Sequence, residues 1–302
     1  MNFTHLAAFQ AVVETGSVTA AAERLHVSQP ALTREIRALE ERLGVPLFDR
    51  LPRGMQPTEA GRLLAGYGAQ IFKLAEAAET AVAELAGLRR GHLAIAASRT
   101  TGAYVLPAIL DEFRRRHPEV SLALSVSNTG QVQDEVRALE AQLGLIEGPH
   151  DAEAFDALPL GEDEIVAVAG AKHVLAQRRS LTAAEVGDGE LVMREPGSGT
   201  REVVARAYAS LGLTLAPQLS IGSPDAIKRL LRLGHAVSWV SRRSVAEELA
   251  AGVLVELPVR DLRVVRGLTM IWHRGHAPSP SAQAFRALAA ALARQAAYPS
   301  DS

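Results

Sequence analysis

The chain has 302 residues, a formal net charge of −2 at pH 7, no cysteine, and apolar and charged fractions of 48% and 22%. That is the profile of an ordinary globular protein, long enough for two or three compact units. The missing cysteine excludes disulfides, thiolate nucleophiles and thiolate-bound metals. No basic segment leads into an apolar run near the N-terminus, and no apolar stretch approaches the ~20 residues that span a bilayer, so a cytoplasmic location and no membrane partner are expected.

In chain order, the first signal is a helical pattern with a break inside it, "AAAERLHVSQPALTREIRALEERLG", residues 20–44. A proline within a continuous helix would remove a backbone bond and clash with the preceding turn. Ser28 as N-cap with Pro30 in the first turn instead starts a second helix. Leu32, Ile36, Leu39 and Leu43 then form its buried stripe, and Gln29, Thr33, Arg34 and Arg37 are left off it. Upstream, Ser17 caps a short helix whose Ala20, Ala21 and Ala22 permit close packing. A short helix, a turn and a second helix with polar residues at its N-terminal end is a helix-turn-helix, whose second helix enters the major groove. Residues 1–62 hold seven arginines against seven acidic residues, so DNA contact must rely on local placement of arginines. Gln29 suits an adenine edge and Arg34 a guanine edge or a phosphate.

Phe9, Ala20-Ala21-Ala22, Leu25, Ser28-Gln29-Pro30-Ala31-Leu32, Ile36, Leu39-Glu40, Leu43-Gly44, Leu47-Phe48 and Arg50 stand in the order found in LysR-type transcriptional regulators, and the chain resembles that family. The departures are Thr33, where many members have Ser, and Pro57, where an apolar residue is usual. Arg50 and Arg53, in a loop rich in Pro and Gly, resemble a wing that reaches phosphates or the minor groove. The DNA-binding set is thus Ser28, Gln29, Pro30, Thr33, Arg34, Arg37, Arg50 and Arg53.

Residues 58–88 read as one helix in which Leu64, Tyr67, Ile71, Leu74, Ala78, Ala81, Leu85 and Leu88 alternate at spacings of three and four. So narrow a seam favours pairing of two long helices, and in the family this linker helix is the dimer contact. Leu64, Tyr67, Ile71, Leu74 and Leu85 are the expected dimerisation residues.

Beyond residue 90, short β-type runs alternate with helical ones, which predicts an α/β unit with parallel strands and helical crossovers, closed by a helix over about 281–297. Ligands of such sheets bind at strand ends facing helix N-termini. Ser98, Thr100 and Thr101 follow "HLAIAA", Ser198, Gly199 and Thr200 follow "LVMREPG", and Ser223 follows "QLSIG"; with Glu147, at the end of "LGLIEG", they form the candidate effector set. The segment "EPGSGTR" lacks the Lys-Ser or Lys-Thr of a phosphate loop, so nucleotide hydrolysis is not expected. An anion would be held mainly by neutral donors and helix dipoles, without a buried cation. His235 reads either as facing the cleft or as a buried, satisfied histidine, the second being preferred. His273 and His276 have the spacing of a metal pair but no third ligand nearby, so no metal and no cofactor are assigned.

The resemblance implies a winged helix-turn-helix (1–57), a linker helix (58–90) and a periplasmic-binding-protein-like α/β effector domain (91–302). That domain divides into subdomain I, about 91–161 and 267–302, and subdomain II, about 162–266. The expected function is regulation of transcription by a dimer or tetramer on double-stranded operator DNA, with RNA polymerase as a further partner and a small anionic effector in the subdomain cleft. The alternatives are an enzyme or a solute-binding α/β domain carrying an accessory helix-turn-helix. No nucleophile, base and orienting group stand together in the sequence to support the enzyme.

Overall fold

The computed structural model describes residues 1–51, 54–85 and 91–297, with Arg50, Leu51, Ala296 and Ala297 described by backbone only. Two compact units divide the chain, Met1–Thr80 and Ala81–Ser302.

In the first unit, α1 (Phe3–Thr15), α2 (Val18–Arg24) and α3 (Gln29–Leu43) are followed by the antiparallel pair β1 (Phe48–Leu51) and β2 (Gly54–Pro57). Each helix starts on a side-chain cap: Asn2, Ser17 and Ser28 accept from the backbone N–H three residues on. The chain leaves α2 through His26 at φ 54 and enters α3 at Gln29, with Pro30 in the first turn. Leu32, Ile36 and Leu39 are buried with Phe9, Val12, Ala21, Ala22 and Leu47, and the Phe9 ring leans on Phe48 at 5.2 Å. Leu43, expected on the same stripe, is 42% exposed, because the stripe ends where Gly44 terminates the helix in the left-handed conformation.

Helix α4 (Glu59–Leu85) runs across the boundary between the two units. Leu64, Ala65, Ile71 and Phe72 pack on the core of the first unit. Leu88, named for the seam, lies outside the described residues.

The second unit is built on one seven-stranded sheet of order β10-β6-β11-β5-β3-β4, with β9 also pairing β6. The chain runs β3 (His92–Ser98), α5 (Arg99–Tyr104), α6 (Leu106–Arg116), β4 (Ser121–Ser127), α7 (Thr129–Arg137), β5 (Leu143–Glu147) and the long β6 (Phe155–Gly170). It continues through α8 (Ala183–Gly187), β7 (Val192–Arg194), α9 (Gly199–Ser210), β8 (Leu219–Ile221), α10 (Pro224–Arg232), β9 (Val237–Ser241), α11 (Ala246–Ala250), β10 (Leu254–Glu256), β11 (Val264–His273) and α12 (Pro280–Ala297). Strands β3, β4 and β5 are parallel, as are β7 and β8. Strands β6, β9, β10 and β11 are antiparallel to their neighbours. Apolar-polar periodicity does not encode strand direction, so the expected parallel strands are corrected for β6, β9, β10 and β11.

Strands β6 and β11 carry the sheet through two separate cores. Phe113, Leu143, Met270 and Phe285 belong to one, and Ile165, Met193, Tyr208 and Trp239 to the other. Between them the ladder skips Leu160, with Leu268 opposite Gly161 and Thr269 opposite Pro159, and Gly161 takes a φ of 130 that suits glycine.

Candidate functional site

On α3, Ser28, Gln29, Pro30, Arg34 and Arg37 are exposed and Thr33 is half-buried. The helical period that buries Leu32, Ile36 and Leu39 turns these side chains outward. The Gln29 amide donates to Thr19 Oγ1 of α2, which holds it at the mouth of the turn. Arg50 lies on β1, opposite Met55; Arg53 lies outside the described residues.

On α4 the expected seam splits in two. Leu64 and Ile71 are half-buried against their own unit's core. Tyr67, Leu74 and Leu85 are exposed, together with Leu63 and Val82. A long helix on a globular core offers one face inward and another outward, and apolar spacing alone does not separate the two.

At the strand ends of the second unit, the hydroxyls fall into two groups. Ser98 caps α5 and donates to the Glu147 carboxylate, and Thr101 Oγ1 donates to the Leu145 carbonyl at 2.8 Å. Both are consumed inside the fold. Glu147 is itself buried, with Arg266 Nη1 at 3.2 Å from its Oε1. Burial pushes its carboxyl above the ordinary glutamate value, against the pull of the Arg266 and Arg194 guanidinium groups. Gly199 is fixed by packing, since a Cβ there would stand 2.1 Å from the Glu147 carbonyl oxygen. Ser198, at the N-cap of α9, is 2% exposed and makes no cap bond, and its Oγ has no protein partner.

Thr100, Thr200 and Ser223 belong to the second group and line a cavity of about 240 Å³. Arg99, Arg194 and Lys228 share its wall with a single acidic residue, Asp225, and with Tyr104, Val126, Ile227 and Trp239. Arg194 is 4% exposed and pairs with Glu195 through Nε and Nη2 at 2.8 and 2.9 Å. Lys228 lies between Asp225 at 3.3 Å and Glu248 at 3.2 Å. Burial works against its charge, yet the Glu248 bond and its neighbours' charges raise its pKa. Neutral donors alone therefore do not face the cleft, and the expectation of a site without a buried cation is corrected.

The model of the bacterial regulatory helix-turn-helix protein, lysR family, matches residues 3–62, and that of the LysR substrate binding domain matches residues 86–294. The chain belongs to the LysR family. It is a DNA-binding transcriptional regulator rather than an enzyme. The RuBisCO operon transcriptional regulator of Allochromatium vinosum is 32% identical over 286 residues, covering 95% of this chain and 94% of that protein. Full-length CbnR complexed with target DNA has a TM-score of 0.65 at 23% identity, over 98% of this chain and 99% of that one. The regulatory domain of Synechocystis PCC6803 CcmR in complex with 2-PG has a TM-score of 0.62 at 26% identity, over 68% of this chain and 98% of that one.

In this LysR-family chain the cavity brings together three of the hydroxyls grouped as one effector set. Thr100, Thr200 and Ser223 meet there; Ser98, Thr101, Ser198, Gly199 and Glu147 surround the junction without lining it. Arg99, Arg194, Lys228 and the buried Arg266 and Asp163 were missed. The available signal was an arginine inside an apolar strand, "LVMR" and "VVRGLTMIW", which demands a buried partner. His235 is exposed rather than buried, because its strand neighbours, not its ring, fill the core. The His273 and His276 rings lie 4.1 Å apart, tilted at 54° to each other. Among the described residues no group of three or more His, Asp or Glu could hold a metal, and no helix is long and apolar enough to cross a membrane.

Proposed function

We propose that this regulator reads operator DNA through Ser28, Gln29, Pro30, Thr33, Arg34, Arg37, Arg50 and Arg53, and that the cavity of the second unit takes a small anionic effector. The carrying observation is the wall composition, three cations and the hydroxyls of Thr100, Thr200 and Ser223 against one acidic side chain. A volume of about 240 Å³ is small for a ligand pocket and suits an oxyanion or an acid of a few carbon atoms. Thr100, Thr200 and Ser223 contact the anion in this reading. Ser98, Thr101, Ser198, Gly199 and Glu147 shape the pocket from behind.

Domains at 1–57, 58–90 and 91–302, with an effector domain divided near residues 161 and 267, complete the reading. The exposed face of α4, Tyr67, Leu74 and Leu85 with Val82, carries self-association, with Leu64 and Ile71 supporting it from the inner side. The protein acts in the cytoplasm. Thermal-shift titration of the full chain with sulfate, phosphate, small carboxylates and 2-PG tests the cavity, because a ligand that prefers the folded state raises its melting temperature. A rise with at least one anion and none with neutral analogues is expected. Equal response to neutral analogues would overturn the anionic class.

A further inference from the structure

A buried arginine sits behind the cavity. Arg266, on β11 just before the ladder irregularity, has a side chain 0% exposed and does not line the cavity. Its Nε and Nη2 donate to Asp163 Oδ2 at 2.9 and 2.7 Å. The remaining fork reaches forward: Nη1 donates to Thr200 Oγ1 at 2.8 Å and Nη2 to Thr100 Oγ1 at 3.2 Å. Both threonines line the cavity.

A hydroxyl whose oxygen accepts from a guanidinium keeps its single proton to give away, and the charge-assisted bond polarises that O–H. Asp163, 2.7 Å from Nη2, offsets the guanidinium charge, so what reaches the cavity is the orientation of the hydroxyls rather than a full positive field. Thr100 has the Glu147 carboxyl as a competing acceptor, which leaves Thr200 as the better-directed donor. We infer that Arg266 is a positioning residue that fixes Thr200, and secondarily Thr100, as hydrogen-bond donors into the cavity, so that the pocket selects an anionic acceptor through an arginine the ligand never touches. This rests on the anionic reading of the cavity proposed above. Preference for a group that only accepts follows, since a ligand donor placed at Thr200 would meet a proton instead of a lone pair.

Sulfate, which carries no proton at neutral pH, is the probe. It is titrated calorimetrically at constant ionic strength into the full-length wild type, Thr200→Val, Thr200→Ser, Arg266→Lys and the Arg266→Lys/Thr200→Val double variant. Lysine keeps a charge beside Asp163 but lacks the fork. Each of Thr200→Val and Arg266→Lys is expected to weaken sulfate about tenfold, the usual scale for losing a bond to a charged group. Thr200→Ser should retain wild-type affinity, and the double variant should be no weaker than the singles. A purely structural arginine would give losses that add. Additive losses, or unchanged affinity in Arg266→Lys, would overturn the inference while leaving the anion site standing. If Arg266→Lys does not fold, the Val and Ser variants decide, and wild-type affinity in Thr200→Val overturns it. Absence of sulfate binding to the wild type would overturn the anionic reading itself, and this inference with it.

Discussion

The polar residues of α3 and those of the cleft became available by opposite routes. Gln29, Thr33, Arg34 and Arg37 lie within nine consecutive positions, and the helical period that sends Leu32, Ile36 and Leu39 inward leaves them facing out. At the cleft, a side chain is free only if nothing remote has claimed it. Ser98 is claimed by Glu147, 49 positions away, and Thr101 by Leu145, 44 away. Arg266 reaches Thr200 and Thr100 over 66 and 166 positions. Helix-surface residues are thus free by default, whereas strand-end hydroxyls are engaged by default, and only long-range geometry says which one is left for a ligand.

Four measurements would sharpen or break this contrast. The largest effect is expected at the exposed face of α4. Leu74→Glu would bring like charges together in a paired helix, and desolvating them costs roughly several kcal/mol per ion. Sedimentation should show smaller species; an unchanged assembly would place the contact elsewhere. Next, Phe9→Ala should cost the first unit about 3–5 kcal/mol, as for other buried aromatic truncations. Denaturation followed by probes in each unit should show the first transition shifted and the second kept, and a single shared shift would mean that the units unfold together. Arg34→Ala should weaken specific operator binding by about 1–3 kcal/mol in a gel-shift titration, with random DNA less affected. Equal loss on both would assign Arg34 to phosphate.

The smallest effect concerns Glu147. Its folded pKa lies above the ordinary value because of burial, so the folded state holds the proton more tightly than the unfolded chain. The stability tied to that proton is fully present below the unfolded value and is lost as pH rises through the folded one. Glu147→Gln keeps an acceptor for Ser98 and should flatten this decline. Chemical denaturation between the ordinary glutamate value and neutrality measures it, and identical slopes in both proteins would show that the carboxyl is already ionised.

Much of the fold was legible because its signals are local. The break at Pro30, the caps at Ser17 and Ser28, and the last helix each depend on a few neighbouring residues, and they fall where expected. Strand direction depends on partners far along the chain, so nothing in the apolar runs of β6 and β11 marks them as antiparallel. On α4, likewise, spacing identifies apolar positions but not whether a core or a second helix faces them: Leu64 and Ile71 pack on the core of the first unit, while Tyr67, Leu74 and Leu85 are exposed. In the cleft, residue type found the hydroxyls and missed the charges. Arg194 and Arg266 sit inside apolar strands, where a charge is conspicuous in the sequence but its compensating carboxylates, Glu195 and Asp163, are not assignable to it.

The residue skipped between β6 and β11 decides what kind of motion the effector unit allows. Ladder bonds continue on both sides of Leu160, and sliding or stretching the pair would rupture several together, whereas an irregularity already carries extra twist and one residue of slack. A ligand drawing the two cores together is therefore expected to drive a small screw rotation about the strand pair rather than a wide gape. Such a torsion moves atoms beside the axis very little and atoms at the rim of the unit the most. The cavity can then keep its hydrogen-bond distances while the outer faces change angle, and it is at those outer faces that occupancy would be felt.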